Sequence, residues 1–214
     1  MSLSGWSASN FIRCPSALVA AVHPVSMCCW FNTTTVGSSQ HMVGVYNSAG
    51  ATDRNSHYLK IDTISSGILA AVSCDGSASS QASSAAVAIN QWNHAGGVFN
   101  TATDRRVFYN GTKSTNSTSR TPSSLDRASI GLQDNAAGNR AFSGFLAEVG
   151  IWDVALDDAE MASLAAGVSP LKIRPQNLLA YLPVINGALD YKGNAFAIQG
   201  SLTSADHTRM LGIT

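Results

Sequence analysis

Charge is scarce in this sequence. Asp, Glu, Lys and Arg together make up 12% of its 214 residues, about half of their share in an average globular domain. The formal net charge is zero, and the longest basic run is Arg105-Arg106, so the basic stripe of a nucleic-acid binder is missing. Because 45% of the residues are hydrophobic, the chain is not intrinsically disordered. We therefore expect a folded protein with an uncharged polar surface and no nucleic-acid partner.

Long hydrophobic runs are also missing. A transmembrane helix needs about 20 consecutive apolar residues, and no such window occurs. The first 22 residues, MSLSGWSASNFIRCPSALVAAV, place no Lys or Arg before their first apolar residues and contain no apolar run long enough for an export signal. We expect a soluble chain with no membrane partner and no Sec-type signal peptide.

The four cysteines, Cys14, Cys28, Cys29 and Cys74, include no CxxC pair, which excludes a zinc ribbon. Adjacent residues of a strand point to opposite faces, so at most one of Cys28 and Cys29 faces the core. We expect small buried side chains with free thiols. The alternative is one disulfide that joins Cys14 to Cys28 or Cys29.

Most of the remaining sequence is typical of strands. Short segments rich in apolar and aromatic residues are bounded by Gly, Ser, Asn or Asp, at spacings typical of all-β sandwiches. They cover residues 26–32, 41–47, 57–63, 67–73, 93–99, 105–111, 128–134, 142–153, 177–184 and 194–201. Asn110-Gly111 predicts a tight turn. The Ser- and Thr-rich tracts 77–86 and 112–121 are interpreted as exposed loops or edge strands.

Alternation within 142–153 predicts which side chains enter the core. We expect Ala147, Val149 and Ile151 to face between the sheets. The other set is expected to face outward or towards another layer, and it comprises Leu146, Glu148, Gly150 and Trp152.

One stretch, WDVALDDAEMASLAAG (152–167), concentrates acidic residues and predicts a helix over 158–166. Asp157 is an N-cap residue and Glu160 follows three positions later, which is a capping-box pattern. Asp158 and Glu160 lie in the first turn, where the helix dipole favours acids. Met161, Leu164 and Ala165 have the spacing of a buried stripe, and Gly167 ends the helix. Every acidic residue of this stretch except Asp153 is therefore interpreted as structural.

The segment FSGFLAEVGIWDVALDDAEMASLAAG (142–167) resembles the closing motif of laminin-G-like, concanavalin A-like jelly rolls. VSMCCWFN (25–32), NQWNHAGGVFNTATDRRVFYNG (90–111) and LLAYLPVINGALDYKGNAFAIQGS (178–201) are similar to further strands of bacterial and phage members. The matching positions of the closing motif are Gly144, Leu146, Val149, Ile151, Trp152, Ala155, Leu156, Glu160 and Leu164. The resemblance implies an all-β, two-sheet antiparallel jelly-roll sandwich, one domain over 1–214, with one short helix near 158–166.

The resemblance also implies positions for aromatic and histidine side chains. Trp30 and Trp92 are expected to anchor core or inner-face packing, with a sugar-stacking platform as the alternative. His94 occupies the Trp-x-His position of the family, where we expect a hydrogen-bonding structural role.

Catalysis is not expected. Some members of this superfamily hydrolyse glycans, and glycoside hydrolysis usually needs two carboxylates across the scissile bond. The only two glutamates are Glu148 and Glu160; Glu148 has no acidic partner two or four residues on, and Glu160 is used by the helix cap. No Gly-x-Ser-x-Gly nucleophile elbow exists, and the histidines lack metal-ligand spacing.

No cofactor is expected either. Several laminin-G-like modules bind one Ca²⁺ at the rim of the sandwich, through oxygen ligands. The candidate loops are 47–57 and 132–140, which hold Asp53 and Asp134. Neither loop has a dense alternation of Asp and Asn, so Ca²⁺ is the alternative rather than the expectation.

Two functions follow as hypotheses. The first is a structural protein that decorates a phage virion, with other virion proteins or copies of itself as partners and the virion as its location. The second is an extracellular lectin that binds host-surface glycans. The residues proposed for sugar binding are Tyr46, Asp53, Arg54, His57 and Tyr58, of which the tyrosines are taken as loop aromatics. A glycoside hydrolase is a remote alternative.

Overall fold

Most of the regular secondary structure in the described residues is β-strand. The computed structural model describes residues 2–48, 55–63, 67–134, 140–185 and 187–205. The strands are β1 (Ser2–Ser4), β2 (Phe11–Cys14), β3 (Val25–Thr33), β4 (Gln40–Tyr46), β5 (Ser56–Asp62), β6 (Ile68–Cys74), β7 (Ser79–Ala86), β8 (Asn93–Thr101), β9 (Asp104–Tyr109), β10 (Thr112–Asn116), β11 (Arg127–Ile130), β12 (Gly144–Trp152), β13 (Leu178–Leu182), β14 (Ala197–Gln199) and β15 (Thr203–Ala205). One α-helix, α1 (Asp158–Ala165), and one 3-10 turn, Pro170–Lys172, follow β12.

These strands form two antiparallel sheets. The first sheet has the order β10-β9-β8-β3-β12-β1-β15, and β13 also pairs with β12. The second sheet has the order β14-β2-β11-β4-β5-β6-β7. Strands from both ends of the chain therefore enter both sheets, and the predicted all-β, two-sheet sandwich is confirmed.

The main core lies between the two sheets. Alternate residues of β3, among them Met27 and Phe31, meet alternate residues of the second sheet such as Leu59 and Leu69. All four of these side chains are fully buried. Burying one large apolar side chain stabilises the fold by about 1.5–3 kcal/mol, so this layer holds the sheets together.

A β-bulge changes which side chains of β12 face the core. The register to β3 shifts between Ala147 and Gly150, and Glu148 within it has a left-handed φ of 53°. As a result Leu146, Val149 and Ile151 all belong to the core, whereas Ala147 does not. The prediction was right for Val149 and Ile151 and wrong for Leu146 and Ala147, because one inserted residue reverses the facing of everything before it.

The predicted helix is confirmed. It spans Asp158–Ala165, the side chain of Asp157 accepts a bond from the backbone of Glu160, and the side chain of Glu160 accepts one from the backbone of Asp157. Met161 and Leu164 are buried against the outer face of the first sheet. Gly167, at a φ of 93°, follows the helix end as predicted.

Short polar side chains mark two sheet edges. The tract 77–86 supplies β7 at the edge of the second sheet, and the tract 112–121 supplies β10 at the edge of the first. Asn110 and Gly111 join β9 to β10 with φ values of 48° and 82°, as a tight hairpin turn requires. Both tracts are therefore edge strands, one of the two predicted alternatives.

The cysteines are free and buried, so the disulfide alternative is wrong. Cys29 lies in the main core and Cys28 lies under α1, which confirms that adjacent strand residues face opposite ways. Burial raises the pKa of the Cys28 thiol to about 12. Among the described residues, no helix has the length and apolar character that crossing a membrane requires.

Candidate functional site

The outer face of the second sheet carries a cluster of aromatic and small side chains. Residues of β5 alternate between the core and this face, so Leu59 and Ile61 point inward while Tyr58 points outward. Tyr58 packs there with Tyr46, Val72 and other outward residues of β4 and β6. This face is the only one on which two of the predicted sugar-binding residues meet among the described parts of the chain.

The predicted residues are placed differently from the expectation. Tyr46 ends β4 and Tyr58 lies inside β5, so their assignment to a loop is wrong. They are 0% and 5% exposed. His57 faces the other way and lies between the ring of Phe99 and Ser73, with Nδ1 2.8 Å from the Ser73 hydroxyl. Asp53 and Arg54 lie outside the described residues.

Three rings stack along this face. Tyr46 and Tyr58 are stacked with centroids 6.0 Å apart, and His41 stacks on Tyr58 at 4.2 Å. Gly44 is needed for this arrangement, because a Cβ there would lie 2.5 Å from the Tyr46 hydroxyl oxygen. Sequence reasoning missed His41, since its strand looked apolar and the ring joins the tyrosines only after a bulge between His41 and Val43.

The environment keeps these rings uncharged. Burial lowers the pKa of His41 well below its usual range, and the positive charges of Lys60 and Arg140 lower it further. Burial raises the pKa of Tyr58 and of Tyr46 well above their usual range. At neutral pH the stack is therefore a neutral, rigid surface with a positive potential beside it.

A polar pocket of about 80 Å³ opens next to the stack. Ser56, Tyr58 and Lys60 project from alternate positions of β5, and the row Ser56, Cys74 and Ser79 crosses three neighbouring strands in register. Its lining consists of Ser56, Tyr58, Lys60, Cys74, Ser79, Gln133 and Arg140. Hydroxyl, thiol, amide and cationic groups thus converge on one small volume, which suits a polar ligand.

Asp134, in the second candidate calcium loop, forms ion pairs with two arginines. The Asp134 carboxylate accepts two hydrogen bonds of 2.6 Å from the guanidinium of Arg13, and Arg127 approaches it at 3.3 Å. Among the described residues, no group of three or more His, Cys, Asp or Glu side chains has the geometry of a metal site. Asp134 is therefore a structural ion-pair residue, and Asp53 lies outside the described residues.

Both glutamates take part in structural contacts. The Glu148 carboxylate is 4% exposed and accepts a bond of 2.5 Å from the Tyr181 hydroxyl. Burial raises the pKa of Glu148. Glu160 completes the helix cap and pairs with Arg174 at 2.5 Å. Asp153, for which the sequence offered no role, accepts a bond from Asn177 at 3.0 Å.

The outer face of the first sheet holds Trp30 and His94. Trp30 is half-buried and lies edge-on to His94, with ring centroids 5.5 Å apart. Neither Trp30 nor Trp92 belongs to the main core, and Trp30 packs on the outer face of the first sheet instead. The ring nitrogens of His94 have no hydrogen-bond partner among the described residues. The expected hydrogen-bonding role is therefore wrong for its ring, and burial lowers its pKa to about 3.

Solved structures share this architecture at low sequence identity. A native heptameric SAP-like pentraxin from Limulus polyphemus matches with a TM-score of 0.66 and 16% identity over 91% of this chain and 87% of its own. The Ruminococcus gnavus IT-sialidase CBM40, bound to α2,3-sialyllactose, matches with a TM-score of 0.60 and 13% identity over 77% of this chain and 96% of its own. At these identities the likeness shows the fold alone.

A phage protein has the same fold in one part. Tailspike protein 2 from an Escherichia coli O157:H7 bacteriophage matches with a TM-score of 0.55 and 17% identity over 78% of this chain. The match spans 24% of that tailspike chain. A search among curated proteins found no match.

A family model settles which group these strands represent. The model described as the concanavalin A-like lectin/glucanases superfamily matches residues 7–162, from before β2 into helix α1. This range contains the aromatic stack, the polar pocket and the capped helix described above, and its fold is of the lectin type. The chain therefore belongs to the concanavalin A-like lectin/glucanase superfamily.

Proposed function

We propose that the chain is a non-enzymatic carbohydrate-binding protein that holds its ligand in the polar pocket on the outer face of the second sheet. The observation that carries this proposal is the lining of the pocket. Sugars are recognised through their hydroxyl groups, and the pocket offers matching hydroxyl groups from Ser56, Tyr58 and Ser79 and the amide of Gln133. Small-molecule sites generally combine a concave shape with a few polar groups that converge.

The stacked rings give this pocket a fixed wall. Tyr58 is held between Tyr46 and His41, so its hydroxyl group reaches the pocket from a ring that cannot rotate freely. Side chains that are ordered before binding lose little conformational entropy when the ligand arrives. The role of Tyr46 is therefore to position Tyr58, rather than to touch the sugar.

Relatives in fold support a carbohydrate ligand. The CBM40 structure contains α2,3-sialyllactose, and another structure of this fold, from a Geobacillus stearothermophilus arabinanase, contains arabinotriose. Of the five residues proposed from sequence, this proposal retains Tyr58 as a ligand contact and Tyr46 as its support. His57 lies on the core side of β5 and is not part of this proposal.

A glycan array tests the proposal. We expect saturable binding to at least one glycan class, and Tyr58→Phe should weaken it by about two- to tenfold, the worth of one neutral hydrogen bond. The matched control is Tyr191→Phe, since Tyr191 is an exposed tyrosine that packs against Tyr181 of the first sheet. An array without hits, or hits that Tyr58→Phe leaves unchanged, would exclude this pocket as the binding site.

A second candidate function is assembly into a virion, either with other virion proteins or with copies of this chain. An exposed apolar patch favours it: Leu189 is 71% exposed and Tyr191 58%, with Ile185 and Ile198 beside them. These side chains border two shallow grooves of about 230 and 570 Å³. Exposed apolar patches often mark protein interaction sites, and the tailspike likeness is consistent with a phage protein.

Location in the virion follows from this second proposal, with an extracellular location as the alternative. If the protein decorates a particle, mass spectrometry of purified phage should find it at a stoichiometry that matches capsid or tail symmetry. Its absence from purified particles would reject the assembly role while leaving the carbohydrate site untouched.

A further inference from the structure

The polar pocket carries an excess of positive charge. Its described lining residues include two cations, Lys60 and Arg140, and no carboxylate. Both charges reach the face beside the pocket, because both lower the pKa of His41. A pocket that only bound neutral hydroxyl groups would not need two cations in its wall.

The two cations are not equally available. The Lys60 ammonium lies 2.7 Å from the Asp62 carboxylate, and both side chains are nearly buried. Arg140 is exposed and makes no ion pair with any described residue. The positive charge that a ligand can use is therefore that of Arg140.

A second acid beside the lining, Asp134, does not cancel the charge of Arg140. Asp134 follows the lining residue Gln133 in sequence, but its carboxylate is taken up by Arg13 and Arg127. An anion in the pocket therefore meets no unpaired carboxylate from this segment. The hydroxyl groups of Tyr58 and Ser79 also line the pocket and can donate hydrogen bonds to the oxygens of the anion.

The size of the pocket limits what can enter. A volume of about 80 Å³ holds only a few water molecules, which is room for one small charged substituent. The sugar ring that carries it must stay at the mouth of the pocket, over the exposed Arg140.

From these contacts, and resting on the proposed carbohydrate function, we propose that the ligand is an acidic glycan. Its carboxylate or sulfate group enters the pocket and pairs with the guanidinium of Arg140, while the hydroxyl groups of Tyr58 and Ser79 donate to its remaining oxygens. The planar fork of an arginine matches the paired oxygens of either anion.

The test uses an array of sialylated, uronate-containing, sulfated and neutral oligosaccharides. We expect hits among the acidic probes only. The strongest acidic hit is then compared by calorimetry with its uncharged partner, the methyl ester of a carboxylate or the desulfated form of a sulfate, which tells the two anions apart. Loss of the charge should weaken binding by roughly ten- to hundredfold, the worth of a hydrogen bond to a charged group.

Protein variants test the same contact from the other side. Arg140→Gln should weaken binding of the acidic probe by a similar factor and remove its dependence on ionic strength, whereas Arg140→Lys should keep part of both. Arg174→Gln is the matched control, because Arg174 is also exposed but pairs with Glu160 beside the helix on the first sheet. Arg140 is at the surface, so both of its variants should melt at the parent temperature.

The outcomes separate this inference from the function on which it rests. Neutral probes bound as tightly as acidic ones, or acidic binding that survives Arg140→Gln, would overturn the acidic ligand and leave carbohydrate binding standing. An array with no hits would overturn both.

Discussion

Acid should destabilise this fold because the sandwich buries histidines in their neutral form. His41, His57 and His94 are all 0% exposed. Burial lowers the pKa of each, well below the usual range for His41 and His57 and to about 3 for His94. In the neutral form, Nε2 of His57 donates a hydrogen bond to the Val22 carbonyl and Nδ1 accepts one from the Ser73 hydroxyl, both at 2.8 Å.

Acid lowers the free energy of unfolding because the unfolded state binds the histidine protons more tightly than the folded state does. In the unfolded chain a histidine takes up a proton near pH 6.5, whereas the folded chain resists it until the pH is far lower. The stability that each histidine contributes is complete above pH 6.5 and is lost as the pH falls towards its folded pKa. For His94, whose folded pKa is about 3, the loss from pH 7 to pH 5 is about 2 kcal/mol. His41 and His57 lose stability in the same direction. Many domains have a total stability of about 5–15 kcal/mol, so the loss is large.

One carboxyl group acts in the opposite direction. Burial raises the pKa of Glu148, so its protonation in the folded state stabilises the protein as the pH falls, and this contribution is lost as the pH rises through its folded pKa. This effect is common to the parent and to any histidine variant, and it cancels when the two are compared.

Urea unfolding at pH 7 and at pH 5 measures these free energies. His94→Leu is expected to change the absolute stability, but its loss between the two pH values should be about 2 kcal/mol smaller than that of the parent. His94→Phe provides a second variant if leucine packs poorly beside Trp30. A pH dependence that stays the same in both variants would refute the argument that His94 is buried as a neutral group.

Two further predictions concern the helix cap and the aromatic stack. Asp157→Ala should lower the free energy of unfolding by about 0.5–2 kcal/mol and leave glycan binding unchanged, while Asp157→Asn should restore most of the loss; a selective loss of binding at parental stability would contradict a purely structural cap. Gly44→Ala should cost about 1–3 kcal/mol and weaken glycan binding, because its Cβ displaces the Tyr46 hydroxyl. The control is Gly37→Ala, whose Cβ makes only an ordinary contact of 3.7 Å with the Thr35 hydroxyl; equal urea midpoints for the two variants would show that the stack does not need Gly44.

Local sequence signals were enough for most of the fold. The N-cap at Asp157 and the hairpin turn at Asn110 depend on side chains within a few residues of each other, and both predictions are confirmed. The strands β1 and β2 were missed, since three or four residues give no visible alternation. Each exists because a distant strand supplies its hydrogen-bond partners.

The sequence of β12 does not show which of its side chains face the core. The alternating pattern assumes an unbroken strand, and no residue type near Glu148 indicates a backbone with a left-handed φ. The bulge is fixed by the pairing of β12 with β3 on one side and β13 on the other. Inward and outward side chains alternate on each side of the bulge, but a single alternation over the whole strand gives the wrong facing before the bulge.

The candidate site was found only in part. Tyr46 and Tyr58 were singled out as loop aromatics, although both lie within the predicted strands 41–47 and 57–63 and within the observed β4 and β5. Of the other pocket residues, Gln133 and Arg140 lie in the segment 132–140, which was considered only for calcium, and Ser79 lies in the distant strand β7. Sugar binding by the five residues proposed from sequence stays a prediction.

The bulge in β12 also bears on how the chain reaches its fold. Before the bulge, Leu146 pairs with Leu3 of β1; after it, Val149 to Trp152 pair with β13. One edge of β12 thus pairs with β1, which is synthesised first, and with β13, which is synthesised near the end of the chain. Contacts so distant in sequence form slowly. We therefore expect a nascent chain on the ribosome to leave part of this edge without its strand partner until residue 182 has emerged.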